Sequence, residues 1–335
     1  MVGGEGETAI RSRIEDSGTE KGKAPAGWAV QKRAKFHRRA EKKAADRIHG
    51  LRGALANRYT GCVPVRFTIL GSGSRGNCAY LETETTRLLI DAGFSARQVR
   101  QRLAQLGRTP ERLDGILITH EHSDHIQALG VLSQKLEVPV YCNRLTHDAI
   151  LYCQPRCRLP FHLFETGASF TVGDVEVESF SVPHDAQDPV GFLLRTAEGN
   201  IGFLTDLGHV TRLVRERVRP AHALVLEANH DLQLLQDDLK RPWHVKQRIL
   251  SRHGHLSNDA AAEALAEVMS DDLRHLFLGH LSQDCNRPEL ARARIARQLE
   301  TLGATHVALE VATQVAPCST LTLGNGQPVQ AAEPL

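Results

Sequence analysis

The stretch Thr119-His120-Glu121-His122-Ser123-Asp124-His125 decides the fold class of this chain of 335 residues. It follows residues 113–118, an apolar run that predicts a buried strand. Three histidines and a carboxylate within six residues at a strand end can hold two metal ions side by side. His120 and His122 can direct their imidazoles at one ion, and Asp124 and His125 can serve a second ion beside it. The alternative is a polar loop that is merely rich in histidine, although loops at strand ends often carry function.

The motif H-x-H-x-D-H resembles the signature of the metallo-β-lactamase superfamily. That family completes its site with a His after a strand, an Asp after a strand, and a late His. Here His184 follows an alternating strand pattern that ends at Pro183, Asp206 ends the run 201–205, and His280 ends the run 276–279. The resemblance therefore implies two metal sites and a bridging carboxylate, formed by His120, His122 and His184, by Asp124, His125 and His280, and by Asp206.

Two divalent metal ions are the cofactors that the resemblance implies. Zn²⁺ suits three-His ligation, but sites that mix His with carboxylate also admit Mn²⁺ or Fe²⁺, and the sequence leaves these alternatives open. Such a pair of ions lowers the pKa of a shared water and neutralises the charge that develops on a phosphate. Asp124 can also take the proton of that water.

The order of the predicted elements indicates the architecture. Short strand patterns come first and are followed by strands that alternate with helices, including a predicted helix over 126–136. This order predicts an α+β fold in which two sheets pack together with helices outside. The resemblance implies its specific form, a four-layer αββα metallo-β-lactamase-like sandwich with the site at one sheet edge.

A glycine-rich loop, Gly71-Ser72-Gly73-Ser74-Arg75-Gly76-Asn77, follows the first strand. Its glycines let the backbone pass close to another group, so the loop is either a tight turn or a contact to substrate phosphate. In the second case Ser72, Arg75 and Asn77 are the candidate donors. Asp91 ends another strand, where the family keeps an Asp that orients metal-binding histidines. A carboxylate that simply caps a turn is the alternative for Asp91.

The segment Gly254-His255-Leu256-Ser257-Asn258 places His255 just before a predicted helix. It resembles the segment of RNase Z-type phosphodiesterases in which a His faces the scissile phosphate, so His255 is expected to protonate the leaving oxygen. A His stacked on a helix start is the alternative. Ser282, in His280-Leu281-Ser282, resembles the H-x-S element of the same nucleases and is a candidate substrate contact.

Charge is distributed unevenly between a basic extension and the remainder of the chain. Residues 1–60 carry a net charge of +7 and the remainder −5, although the whole chain is near balance at +2. We expect 1–63 to be a disordered or loosely helical extension that can attract nucleic acid, and 64–335 to be the hydrolase domain. The alternative is that translation starts at Val65 and the extension is not part of the working protein.

Composition indicates a cytoplasmic protein. No run of 18 apolar residues occurs, so no membrane span is predicted, and the first residues lack the basic-then-apolar layout of a signal peptide. Seven cysteines, an odd number at scattered positions, favour reduced thiols over a disulfide framework.

Within the superfamily, the glycine loop, the His255 segment and Gly279-His280-Leu281-Ser282 are most similar to the YycJ/WalJ-like branch, which is related to RNase Z. That branch implies a dinuclear phosphodiesterase that acts as an exonuclease, with nucleic acid as its substrate and DNA favoured over RNA. Only 73 residues separate Asp206 from His280, too few for the large clamping insertion of the β-CASP nucleases. Substrate grip must then come from the site rim, a partner or the extension.

Two other functions stay open. Thioester or lactam hydrolysis, as in glyoxalase II or the β-lactamases, would not need a His at a helix start. The glyoxalase branch also carries a helical C-terminal domain, whereas 55 residues follow His280 here. The non-enzymatic alternative is a metal-stabilised regulatory module, and the complete ligand set argues against it.

Overall fold

Two seven-stranded sheets form from the apolar segments of residues 64–324, which are the residues that the computed structural model describes. The first sheet contains β1 Val65–Gly71, β2 Cys78–Glu82, β3 Arg87–Ile90, β4 Gly115–Leu117, β5 Val140–Asn143, β6 Phe161–Phe164 and β14 Leu321–Leu323. The second contains β7 Ser169–Val172, β8 Val175–Ser181, β9 Val190–Thr196, β10 Gly199–Leu204, β11 Ala223–Glu227, β12 His275–Gly279 and β13 Ala308–Val311. The predicted basic extension, 1–63, lies outside the described residues.

Helices connect the strands and begin at side chains that satisfy free backbone N–H groups. They are α1 Ala96–Gln105, α2 Ser123–Ile126, α3 Leu129–Leu132, α4 Arg144–Cys153, α5 Arg212–Val218, α6 Leu232–Asp237, α7 Trp243–Ile249, α8 Asn258–Val268 and α9 Pro288–Thr301, with a 3₁₀ turn at Pro110–Arg112. Ser95 and Gln98 form a capping box at α1, and Ser257 caps α8. Among residues 64–324, no helix has the length and apolar character needed to cross a membrane.

Both sheets change from antiparallel to parallel pairing across their width. The first sheet has the order β14-β1-β2-β3-β4-β5-β6, and its pairs from β3 to β6 are parallel. The second has the order β13-β12-β11-β10-β9-β8-β7, and its pairs from β10 to β13 are parallel. The parallel strands in each sheet end at a common edge, where loops can gather side chains into one site.

The predicted four-layer sandwich is confirmed by the way the core divides. Phe67 of β1 meets Phe277 of β12 between the sheets, with ring centroids 5.9 Å apart. A second cluster packs the outer face of the second sheet against α5, α8 and α9, and a third packs the outer face of the first sheet against the helices around Val99 and Ile150. Two sheets thus share one core and each is covered by helices, which is an α+β sandwich.

The helix predicted over 126–136 is wrong, because one short helix ends at Ile126, a second spans only Leu129–Leu132, and residues 133–136 are not helical. A continuous helix would bond the amide of Gly130 to the carbonyl of Ile126. Instead, the side chain of Gln154 accepts from Gly130 N at 2.7 Å and donates to Ile126 O at 2.9 Å. A side chain inserted into the helical ladder breaks it. The sequence near 126–136 could not reveal this, since Gln154 follows α4, an element that the sequence analysis did not predict.

Candidate metal centre

The ends of six strands converge at one edge of the sandwich and carry the predicted ligands together with two further carboxylates, Asp91 and Glu227. Asp91 follows β3 and the His120–His125 motif follows β4, whereas Asp206, Glu227 and His280 lie at the ends of β10, β11 and β12. His184 follows β8 in the second sheet. The site therefore lies between the two sheets, and residues more than 150 positions apart in sequence meet in it.

His120, His122 and His184 form a first cluster of ring nitrogens. His122 Nδ1 lies 3.0 Å from His120 Nε2 and 3.3 Å from His184 Nε2. His184 Nδ1 donates to the carbonyl of Gly254 at 3.1 Å, so its Nε2 carries the lone pair. His120 Nδ1 donates to the hydroxyl of Thr119, whose own hydrogen goes to Asp91. The outer nitrogens of His120 and His184 are thus occupied, and the lone pairs of their Nε2 atoms converge on His122 Nδ1 as a metal site requires.

Asp124, His125 and His280 form the second cluster. Asp124 Oδ2 lies 3.3 Å from His280 Nε2 and 3.6 Å from His125 Nε2. Behind it, His125 Nδ1 donates to Asp91 Oδ2 at 2.8 Å, and Asp91 is fully buried. Asp91 thus occupies the position predicted for a carboxylate that orients a metal-binding histidine.

Asp206 lies between the two clusters. One carboxylate oxygen lies 3.2 Å from His125 Nε2, and the other lies 3.7 Å from His184 Nε2 and 3.3 Å from His280 Nδ1. The side chain is 3% exposed, yet its Oδ2 has no hydrogen bond of good geometry among the described residues. A buried carboxylate oxygen needs a partner. These donors fit a metal pair bridged by Asp206.

Backbone strain is concentrated at this site. Within residues 64–324, Asp91, Asp206 and His280 are the three non-glycine residues with positive φ, at 59°, 59° and 55°. Left-handed backbone is unfavourable for such residues and persists where the surrounding structure enforces it, often at functional sites. Beneath the motif, a Cβ at Gly93 would lie 1.6 Å from the carbonyl oxygen of Asp124, so only glycine fits there.

Glu227 is a site residue that the sequence analysis missed. It is fully buried at the end of β11, and its Oε1 accepts from His255 Nδ1 and from His280 Nδ1, each at 2.8 Å. Its Oε2 accepts from the amides of Leu207 and Leu256. The rule that selected Asp206, a carboxylate at the end of a buried strand, would also have found it. Glu227 thus joins His255 to the second cluster.

The two clusters differ in how readily they take protons. Burial lowers the pKa of His120 well below its ordinary value, and burial lowers the pKa of His184 as well. Burial acts in the same way on His125, but the carboxylates of Asp206, Asp91 and Asp124 outweigh it and raise the pKa of His125 well above the ordinary value. Burial is likewise outweighed at His280, where the carboxylates of Asp206, Asp124 and Glu227 raise the pKa to about 10. Burial thus favours the neutral rings of His120 and His184, whereas the neighbouring carboxylates favour the protonated rings of His125 and His280.

The four predicted substrate contacts differ in exposure: two are buried beside the clusters, one is exposed, and one lines the cleft. Ser72 is buried, accepts from His280 N at 2.7 Å and donates to Asn77 Oδ1 at 2.8 Å. Asn77 is also buried and its Nδ2 lies 3.4 Å from Asp124 Oδ2. Arg75 is exposed on the loop, and Ser282 lines the cleft over the clusters. Their role toward substrate stays a prediction, and the contacts of Ser72 and Asn77 already hold ligands in place.

The cleft above the clusters has a volume of about 160 Å³ and an almost wholly polar wall. His255 lines it between the two clusters, with ring centroids 5.0 Å from His184 and 5.1 Å from His280. Arg241 and Arg248 also line it, and the sequence analysis did not select either. Both come from residues 239–253, whose basic character could have indicated a role.

Sequence comparison finds close relatives. The chain is 40% identical over 240 residues to exodeoxyribonuclease YycJ of Bacillus anthracis, covering 71% of this chain and 90% of that protein. It is 41% identical over 237 residues to exodeoxyribonuclease WalJ of Streptococcus pneumoniae serotype 2, covering 70% and 88% respectively.

Solved structures share the fold. The metallo-β-lactamase fold protein YhfI of Bacillus subtilis aligns with a TM-score of 0.59 at 16% identity, over 76% of this chain and 99% of that one. The short form of human tRNase Z aligns with a TM-score of 0.51 at 20% identity, over 76% and 98%. A family model described as a beta-lactamase superfamily domain matches residues 86–280. This match spans the strand-end loops from Asp91 to His280, so the chain belongs to the beta-lactamase superfamily, whose fold implies divalent metal ions at such a site.

Proposed function

We propose that this protein is a dinuclear metal-dependent phosphodiesterase and that it acts as a DNA exonuclease. The observation that carries the proposal is His255, a histidine on the cleft wall that lies beside both clusters and is held from behind by Glu227. Phosphodiester hydrolysis needs a proton for a poor leaving group, and a positioned histidine supplies one. The two close relatives, each named an exodeoxyribonuclease, support DNA as the substrate.

In this proposal each cluster holds one metal ion. His120, His122 and His184 would hold the first ion, Asp124, His125 and His280 would hold the second, and Asp206, which lies between the clusters, would serve both. The metals supply an activated water and neutralise charge on the phosphate. Three-His ligation favours Zn²⁺ in the first site, and the carboxylate-rich second site also suits Mn²⁺ or Fe²⁺.

His255 acts as the general acid. Its Nδ1 donates to Glu227, which leaves Nε2 as the atom that faces a leaving group. Burial lowers the pKa of His255, but the charge of Glu227 and its hydrogen bond outweigh burial and raise that pKa. The raised pKa favours the protonated ring, which is the form that a general acid needs. Asp124, whose side chain is 22% exposed at the cleft, is placed to accept the proton of the attacking water.

Thioester or lactam hydrolysis is the less favoured activity. Ile249 is the single apolar residue among the twelve that line the cleft, so the wall offers little to an acyl chain or a lactam ring. Two arginines on the same wall suit a phosphodiester anion instead. A regulatory module without catalysis would not need a general acid held by a buried carboxylate.

We further propose that 64–335 is the hydrolase domain and that the basic extension, 1–63, adds sequence-independent attraction for phosphates. Six cysteines of the described region are free, which supports a reducing, cytoplasmic setting. Nucleic acid is then the partner, with DNA favoured over RNA.

The experiment compares His255→Ala with the unchanged protein, both loaded with zinc and with manganese. We expect unchanged metal content and a kcat on DNA that falls by roughly 10²–10⁴. The loss should be much smaller for bis(p-nitrophenyl) phosphate, because p-nitrophenolate leaves without a proton. His306→Ala, an exposed histidine before β13, is the control and should match the parent. Loss of metal from His255→Ala, or full activity on DNA, would contradict the proposed role.

A further inference from the structure

We infer that residues 239–253, here called the rim segment, bind the single strand that flanks the scissile phosphate. This inference rests on the proposed nuclease function and names how the substrate is gripped. The rim segment contains five Lys and Arg residues and two His, with no Asp or Glu. Residues 61–335 as a whole carry a net charge of −5, so this run of positive charge stands out against an acidic body. Positive charge along a groove attracts the phosphate backbone without regard to sequence.

The rim segment forms one wall of the cleft over the metal clusters. Arg241, Arg248 and Ile249 line the same cleft as His122, Asp124 and His280. The cleft, at about 160 Å³, is smaller than the roughly 300 Å³ at which small-molecule sites begin. It can therefore hold a phosphodiester group but not the nucleotides on either side. The flanking nucleotides must therefore lie on the rim of the cleft, where the rim segment supplies the basic side chains.

The two arginines of the rim segment that line the cleft, Arg241 and Arg248, are held in place by acidic neighbours. Arg248 Nε bonds to Asp185, the residue after the ligand His184, and its side chain is still 63% exposed. Arg241 bonds to Asp238 and to Asp284. A guanidinium has five N–H donors, so Arg248 retains donors for phosphate after its bond to Asp185. Lys240 and Arg252, both exposed, extend the positive charge beyond the cleft.

Exposed apolar side chains on the rim segment suit nucleobases. Trp243 opens α7 and is 64% exposed, and Leu239 is 98% exposed. A tryptophan that faces water is unusual in a folded domain and is well suited to stacking on a base. Stacking needs an unpaired base but no particular base, so this surface fits a single strand of any sequence. Duplex DNA exposes its phosphates but not the faces of its bases, so it would contact only the Lys and Arg side chains of the rim segment.

The test uses Trp243 as its own reporter. Trp28 is the other tryptophan of the chain, so Trp28→Phe leaves Trp243 as the single indole. The metal-loaded protein is titrated with a single-stranded 12-mer whose phosphorothioate linkages resist hydrolysis. We expect the fluorescence of Trp243 to be quenched on binding, and Trp243→Ala to weaken binding about 5- to 100-fold, measured by anisotropy of a labelled strand. Tyr152→Ala, an 89% exposed aromatic on α4, is the control and should not weaken it.

The basic residues are tested by salt dependence. Lys240→Gln combined with Arg252→Gln should reduce the slope of log affinity against log salt by about 0.7 for each phosphate that the variant no longer neutralises. Arg144→Gln, an exposed arginine on α4, is the matched control. Steady-state rates on a dinucleotide and on the hydrolysable 12-mer then give the dependence on length. We expect the loss in the rim variants to be several-fold larger for the 12-mer.

The outcomes separate this inference from the proposed function. Failure of the parent protein to cleave either substrate would reject the nuclease function itself. Cleavage by the parent with unquenched Trp243 and unchanged rim variants would reject the inference alone. If Trp243→Ala instead changes the sedimentation of the protein and not its affinity for the strand, the surface joins two copies of the chain and the inference fails.

Discussion

Replacement of Glu227 by glutamine should disable the second cluster and His255, the proposed general acid, together. The carboxylate accepts four hydrogen bonds, two from imidazole Nδ1 atoms and two from backbone amides. A glutamine has one acceptor oxygen, so its NH₂ group must face either two N–H groups of the backbone or two protonated ring nitrogens. The less costly outcome is that His255 and His280 move their protons to Nε2. His280 then presents a proton where its lone pair is needed.

The size of the effect follows from the charge that Glu227 stabilises. Burial alone would raise the pKa of Glu227, but His255 and His280 outweigh burial and hold that pKa at about 2, against 4.5 ordinarily. The difference corresponds to about 3 kcal/mol in favour of the carboxylate. Because the folded-state pKa is depressed, this stability is present above pH 4.5 and is lost as the pH falls toward 2. Removal of one partner from a buried pair typically costs about 3–5 kcal/mol.

The assay combines denaturant unfolding of the metal-free protein with elemental analysis after reconstitution. At neutral pH we expect Glu227→Gln to lower the free energy of unfolding by about 3–5 kcal/mol and to lose metal from the second cluster. Glu178→Gln is the matched control, because Glu178 is also buried but pairs with Arg195 and Arg217 away from the site. It should lose stability and keep its metal. A Glu227→Gln protein with full metal content and parental activity on DNA would refute this reasoning.

Three further predictions concern the bridge, the protons and the extension. Asp206→Ala should reduce the metal content from about two ions per chain to one or none; two retained ions, by elemental analysis, would rule out the bridge. Metal ligation needs neutral imidazole, and the pKa values of His125 and His280 are raised, so metal loading near neutral pH should release one proton from each. The metal affinity should therefore rise with pH. A pH-indicator dye measures the proton release, and a metal affinity that falls with pH would contradict the prediction. Deletion of 1–63 should weaken DNA binding and flatten its salt dependence, with little effect on a small phosphodiester; unchanged affinity at low salt would mean that the extension does not bind DNA.

The positions of the metal-binding candidates were predictable because they obey one local rule. Each of His184, Asp206 and His280 follows a run of residues with strand character, and parallel strands of a sheet end at the same edge. The H-x-H-x-D-H motif then indicated which edge of the sheets carries the site. The layered sandwich followed for the same reason, since strand and helix patterns depend on local periodicity, which a single sequence displays.

What the sequence did not reveal depends on contacts between distant residues. The break between α2 and α3 is made by Gln154, and the grip on His255 and His280 is made by Glu227. Nothing local marks Gln154 as different from an ordinary polar residue. Glu227 does end a buried strand, which makes it a candidate site residue, but nothing local shows that it accepts from His255 and His280. Ser72 illustrates the same limit, because its hydroxyl accepts from the backbone N–H of His280 across 208 residues of sequence, a contact that no local pattern indicates; its contact to substrate stays a prediction.

The strained residues lie where contacts within the protein position the candidate metal ligands. Asp91, Asp206 and His280 hold left-handed backbone, at a cost of about 1–3 kcal/mol each. Such conformations persist only where surrounding contacts over-determine them, and Asp91 accepts from Thr119 and His125 while His280 donates to Ser72 and Glu227. These contacts lie behind the ligand atoms and involve no metal. Contacts within the protein therefore offset the strain, and the positions of the strand ends bring the candidate ligand atoms together.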